Sequence, residues 1–334
     1  MKKTIEDVKN GIKRITSLNE RWYARAIDNE TTGLPEYKFV PSLTWIADYY
    51  AKGVGFYKWL ADKGWDEAES LKSAAGERGS KVHSAIETLT TGKEVAMTDK
   101  FINPNTEELE DLTVEEYGCL MSWIKWYEDN DRPITLATEF SVMANVEGLE
   151  FGCTIDWVGM VKGELTIIDW KTGQNIWPSG RIQISAIAKT IPHWPEEVKE
   201  RINEHINLDL VDMEGLKLNI VQLGYRRNRN GYKENPQPCQ FDLFKHAYAI
   251  WKNENEGTKP LQRDYPLRIK IDKYEAKSKG NADNRGGNQI ADTGYPTVIP
   301  PKESKGGHTT NINQAGGKGI NKKTVKSQNK GGTK

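Results

Sequence analysis

Asp156, Asp169, Lys171 and Gln183 fall within one short stretch of the chain, and the first three are the residue types that hold a divalent metal beside a phosphate. Residues 151–161 and 165–172 are rich in β-branched and aromatic side chains, and Lys162-Gly163-Glu164 between them is a tight-turn signal. If Gly163-Glu164 is the loop, Asp156 stands opposite Lys171. If Lys162-Gly163 is the loop, Asp156 stands opposite Asp169. Either register puts Asp156, Asp169 and Lys171 on one face, because side chains alternate with period two. A three-residue loop with a bulge would break that parity. An isolated Asp-x-Lys on a strand usually marks a solvated face whose ion pairs contribute about 0–1 kcal/mol. Here the surrounding strand residues are apolar: Ile155, Trp157, Val158, Ile167, Ile168 and Trp170. Carboxylates in such company are costly unless paired or metal-bound.

The order of these residues carries a resemblance. Gly152-x-x-Ile155-Asp156, then Ile168-Asp169-x-Lys171-Thr172-Gly173, then Gln183, resembles the PD-(D/E)xK nuclease superfamily, and within it the RecB-like family that includes phage recombination exonucleases. That family carries an upstream helical pattern like R-G-x-x-x-H-x-x-x-E, and this chain has Arg78-Gly79 followed by His83 and Glu87. Pro41-Ser42-Leu-Thr-Trp-Ile46 is similar to the family's N-terminal region. The resemblance covers roughly residues 40–190. There are two departures. Ile187 stands where the family often has an aromatic residue, and the three cysteines, Cys119, Cys153 and Cys239, are too few for the four-cysteine iron–sulfur cluster of some relatives.

The resemblance implies a restriction-endonuclease-like α/β core, with a mixed central sheet flanked by helices, and a metal-dependent deoxyribonuclease activity, that of an exonuclease in recombination, repair or phage DNA processing. Water is a poor nucleophile toward a negatively charged diester, and Mg²⁺ or Mn²⁺ remedies this by acidifying water and neutralising charge. Asp156 and Asp169 would be both catalytic and metal-binding. The backbone carbonyl of Trp170 would complete the oxygen set, which hard cations prefer. His83 would add an imidazole, which Mn²⁺ accepts more readily than Mg²⁺. Lys171 would position the attacking water or stabilise charge on the phosphate, and Gln183 would orient the lysine or the water. Glu87 lies one helical turn after His83 and could bind a second metal or orient the first. Glu139 sits on an expected neighbouring strand, where a supporting and a structural role are both open.

The elements that must position these groups read as follows. Ser42 looks like the N-cap of a short helix to residue 50. Residues 66–91 form one or two helices carrying His83. Thr113-Val-Glu-Glu116 is a capping-box pattern opening a helix to about residue 130. Residues 139–172 form the sheet, and a helix over 179–191 bears Gln183. Residues 216–225 and those from 232 onward could form a second hairpin, at whose tip Arg226, Arg227 and Arg229 would contact phosphates or simply meet solvent. A closing helix spans 241–253. Domain organisation is expected to be a nuclease domain over 1–275, with a helical part at 1–135 and a catalytic sheet core at 136–275, then a disordered tail at 276–334.

Composition sets outer bounds. The 334 residues are 37% hydrophobic and 28% charged, with 47 basic and 47 acidic side chains. The neutral balance hides an asymmetry: the Gly-, Asn- and Lys-rich segment 276–334 holds 11 Lys/Arg against 3 Asp/Glu, so residues 1–275 are acidic. The tail would tether nucleic acid through counterion release or serve only solubility. No apolar run reaches the ~18 residues of a membrane span, the start lacks the apolar segment of a secretory signal, and the cysteines are few. A cytoplasmic protein is expected (host cytoplasm if phage-encoded). Its expected partner is DNA, as linear duplex or single strand, with a recombinase, single-strand annealing protein or helicase as a further partner. No phosphate-cradling Gly-rich loop is apparent, so no ATP hydrolysis is expected. A structure-specific endonuclease of the same fold and a noncatalytic nucleic-acid-binding module are the alternatives.

Overall fold

A computed structural model of the protein describes residues 4–8, 10–17, 20–28, 35–211, 216–258 and 260. The basic segment 276–334 lies outside the described residues. The N-terminal part corrects an expectation. Residues 1–135 do not begin as helix but as an antiparallel sheet of four strands, β1 (Thr4–Val8), β2 (Ile12–Ser17), β3 (Glu20–Asp28) and β4 (Pro35–Pro41), adjacent in that order. Its apolar residues serve both faces. Ile12, Tyr23 and Val40 pack together, while Ile15, Trp22 and Ala24 join a different cluster. Burial on two faces, with Lys13, Arg14 and Arg25 interspersed, erases the simple alternation that marks a half-buried strand.

The helices follow the sequence signals closely. Ser42 caps α1 (Leu43–Ala47), its Oγ accepting from the Trp45 N–H at 3.1 Å. Gly64, at φ 76°, separates α2 (Val54–Lys63) from the long α3 (Trp65–Thr90). A small hairpin of β5 (Lys100–Ile102) and β6 (Leu109–Asp111) precedes α4 (Val114–Asp129). The capping box forms: the Glu116 N–H donates to Thr113 Oγ1 at 3.2 Å, and the Thr113 N–H to Glu116 Oε2 at 2.7 Å.

The central sheet contains β7 (Ile134–Val146), β8 (Leu149–Val161) and β9 (Glu164–Lys171). After β9 come α5 (Pro178–Lys189), α6 (Glu196–Asn203), β10 (Lys217–Leu223), β11 (Tyr232–Gln237) and α7 (Phe241–Asn255). Strand order is β11-β10-β9-β8-β7. All pairs are antiparallel except β9 and β10, and that parallel pair needs a crossover, which α5 and α6 provide. Val161 pairs with Glu164, so the loop is Lys162-Gly163, both at positive φ, as a right-twisted two-residue hairpin requires.

Two apolar layers hold the sheet. On one face Trp157, Ile168 and Trp170 meet Val82, Ile86, Trp123 and Trp126 of α3 and α4. On the other, Val158, Ile167 and Ile220 meet Ile182 of α5 and Phe244 of α7. Each fully buried large side chain contributes about 1.5–3 kcal/mol. The architecture is mixed α/β. No helix among the described residues is long and apolar enough to cross a membrane.

Candidate metal centre

The site lies where two strands part. The β8–β9 ladder ends at Trp157 and Ile168. Below that point β8 stays paired with β7, while β9 runs on beside β10 to Lys171. Asp156 is therefore on one lip of a split, and Asp169, Trp170 and Lys171 are on the other. The side-chain alternation of β8 also changes phase here. Phe151, Cys153 and Ile155 belong to the larger core, but so do Val158 and Met160. Opposite this break, Glu139 holds φ 47° inside β7, a left-handed conformation costly for a residue with a Cβ.

One imidazole spans the split. His83, on α3, has Nε2 3.1 Å from the Trp170 carbonyl oxygen and Nδ1 3.1 Å from Glu139 Oε1, with Asp156 Oδ1 at 3.7 Å. Asp156 Oδ2 accepts from the Trp170 backbone N–H at 3.0 Å. His83, Glu139 and Asp156 can each direct one ligand atom into a space less than 4.8 Å across. Beside them Lys171 donates to Asp169 Oδ1 at 2.7 Å. Asp169 Oδ2 is buried and accepts no hydrogen bond, held only by the charge of the same ammonium 2.6 Å away.

The electrostatics favour protons or a cation. Burial alone would lower the His83 pKa, but Asp156 and Glu139 outweigh it and raise it to about 9. Burial raises the Asp156 pKa, and Glu139 adds to the rise against the opposing pull of His83 and Lys171. Burial likewise raises Asp169 against the pull of Lys171. Burial works against the Lys171 charge, yet Asp169 and Asp156 overcome it and keep its pKa above the ordinary lysine value. A hard divalent cation suits this donor set of carboxylates, one backbone carbonyl and one imidazole.

Of the sequence candidates, His83, Asp156, Asp169, Lys171 and the Trp170 carbonyl converge. Glu139, left open between support and structure, lies within the compact donor group, and Asp169 is instead the partner of Lys171. The signal for Glu139 was the hairpin register: Thr138 pairs with Trp157 and Phe140 with Ile155, which sets Glu139 across from Asp156. Gln183 is partly buried on α5, one turn beyond Gly180, whose added Cβ would lie 4.0 Å from Lys171 Cε. Glu87 is outside the donor group. Arg226 pairs with Glu115 at 3.2 Å, and Arg227 and Arg229 are exposed in the turn before β11. Arg78, to which the sequence assigned no role, reaches the Thr172 carbonyl at 3.4 Å and Glu115 at 3.3 Å, joining α3 to the end of β9.

No family model matches the chain, and no curated protein matches it significantly.

Proposed function

We propose that this chain is a divalent-metal-dependent deoxyribonuclease with a restriction-endonuclease-like core, working on DNA ends as RecB-like exonucleases do. The observation that supports it most is the convergence of His83, Glu139, Asp156 and the Trp170 carbonyl beside the Asp169–Lys171 pair, at a split in an otherwise apolar sheet. Mg²⁺ or Mn²⁺, held by His83, Glu139, Asp156 and the Trp170 carbonyl with Asp169 at its flank, would supply a more acidic water and charge neutralisation at the phosphate. The residues do the rest. Asp169 fixes the Lys171 ammonium, which stays charged because two carboxylates surround it. Lys171 is about one-third exposed, so its free hydrogens reach a phosphate oxygen or the attacking water. The cation would replace the His83 proton as the counter-charge to Glu139 and Asp156. Gln183, one turn beyond Gly180 on α5, would orient the lysine or the water, as the resemblance implies. Recombination, repair or phage DNA processing, alongside a recombinase, annealing protein or helicase, is the setting this activity suits.

The test compares linear duplex, closed circular duplex and linear single strands, each with Mg²⁺, Mn²⁺ or EDTA. The proposal expects metal-dependent loss of linear DNA and survival of circles. Cutting of circles would make the protein an endonuclease. Binding without cleavage under every metal would leave it a noncatalytic module.

A further inference from the structure

A helix with no fully buried residue packs its rings against Trp177. None of the residues of α2 is buried, yet it carries Phe56, Tyr57 and Trp59. Tyr57 is 58% exposed. Large aromatic side chains left on a surface mark a binding face more often than chance, because each exposes apolar area that folding could have removed. These rings form a cluster with Trp177, which is itself 43% exposed. The Phe56 and Trp177 centroids are 5.7 Å apart, nearly perpendicular, and Trp59 is 6.4 Å from Trp177.

Trp177 ties this cluster to the chemistry. It is the N-cap of α5, and its carbonyl accepts from the Gly180 N–H at 3.0 Å. Gly180 is the residue whose added Cβ would lie 4.0 Å from Lys171 Cε. The aromatic cluster therefore begins about one helical turn, roughly 5 Å, from the lysine's column. Positive charge lies close by: the Lys52 ammonium, paired with Asp48 at 2.8 Å, is 6.0 Å from the Phe56 ring, and the exposed Lys58 has no ion-pair partner among the described residues.

We propose that Phe56, Tyr57, Trp59 and Trp177 form a platform on which the bases of a DNA single strand stack as its backbone enters the cleft. This deepens the nuclease reading and rests on it for the placement of the strand. A single strand fits where a duplex does not, because only unpaired bases offer their faces to aromatic rings, and such stacking is indifferent to sequence. Lys58 neutralises a phosphate between stacked bases. The platform makes the preferred substrate a single strand or a frayed duplex end.

The experiment uses the full chain in EDTA, so that nothing is cut, and measures anisotropy of a labelled oligothymidylate and of a labelled blunt duplex. Tyr57→Ala, Trp59→Ala and Trp177→Ala should each weaken oligothymidylate binding about tenfold and leave duplex binding nearly unchanged. Trp177→Phe should restore most of the affinity. Circular dichroism melts confirm folding, and Tyr57→Ala alters the most exposed ring of the set, where folding has least to lose. Unchanged single-strand affinity in all three alanine variants would overturn the platform, and α2 would then be a face for another protein. Wild-type protein that binds no single strand would overturn it as well. Lys171-dependent cleavage with unaffected platform variants would remove the platform alone. Strand binding that needs the rings, in a protein that cuts nothing, would remove the nuclease reading and keep the platform.

Discussion

His83 is the residue at which the state of the site can be read. Its pKa of about 9 comes from Asp156 and Glu139 against the effect of burial, so the metal-free imidazole is charged at neutral pH. A cation must displace that proton. Mn²⁺ affinity should therefore rise about tenfold per pH unit between pH 6.5 and 8.5, with close to one proton released, as calorimetry in two buffers of different ionisation enthalpy would report. A pH-independent affinity would remove His83 from the ligand set. Glu139→Gln keeps the shape of the side chain and removes one charge. It should move the His83 imidazole resonance titration below 9 and weaken Mn²⁺ at least about tenfold. An unmoved titration would mean that Glu139 is only a structural neighbour.

At the scale of elements, the site exists because β8 and β9 separate while each keeps another partner. Much of this was legible. The Lys162-Gly163 loop was one of two registers written in the turn chemistry, and the Ser42 cap and the Thr113–Glu116 box appeared where their side chains required. The phase change at Asp156 and the left-handed Glu139 were not legible. Both depend on where one strand leaves another, which is a tertiary event without a local signature. For the same reason period-two reasoning brought Asp156, Asp169 and Lys171 together but left Glu139 undecided. The element contacts can also be tested. A Cβ at Gly152 of β8 would collide with the Tyr23 ring of β3, where the N-terminal sheet meets the central one. Gly152→Val should lower stability by about 1–3 kcal/mol, seen as a lower urea midpoint at unchanged slope. A midpoint equal to wild type would mean that the two sheets do not pack there.

For the whole molecule, the proposed site is a cost that a bound cation would relieve. His83 holds its proton more tightly in the folded chain than at its ordinary value of 6.5. Its contribution to stability is thus complete below pH about 6.5 and is lost as pH rises through about 9. Asp156 and Asp169, both raised, act in the same direction at lower pH. Metal-free protein should therefore melt at a lower temperature at pH 9 than at pH 6.5, and Mn²⁺ should reverse that order. An apo melting temperature that rises across this window would contradict the electrostatics. The same global view explains what composition could not reveal. The N-terminal sheet divides its apolar residues between two faces, so no window of sequence shows a strand period. The acidic balance of residues 1–275 likewise says nothing of a site whose carboxylates come from three different strands.

The most direct test of the central claim is a comparison of wild-type protein with Lys171→Ala at saturating Mn²⁺ on linear DNA. Lys171 is about one-third exposed, is held by Asp169, and is outside the compact donor group. The variant should fold, bind Mn²⁺ with nearly wild-type affinity, and cut at least about 100-fold more slowly, the loss expected when one preorganised donor to developing charge is removed. Cleavage by Lys171→Ala at the wild-type rate would contradict the account.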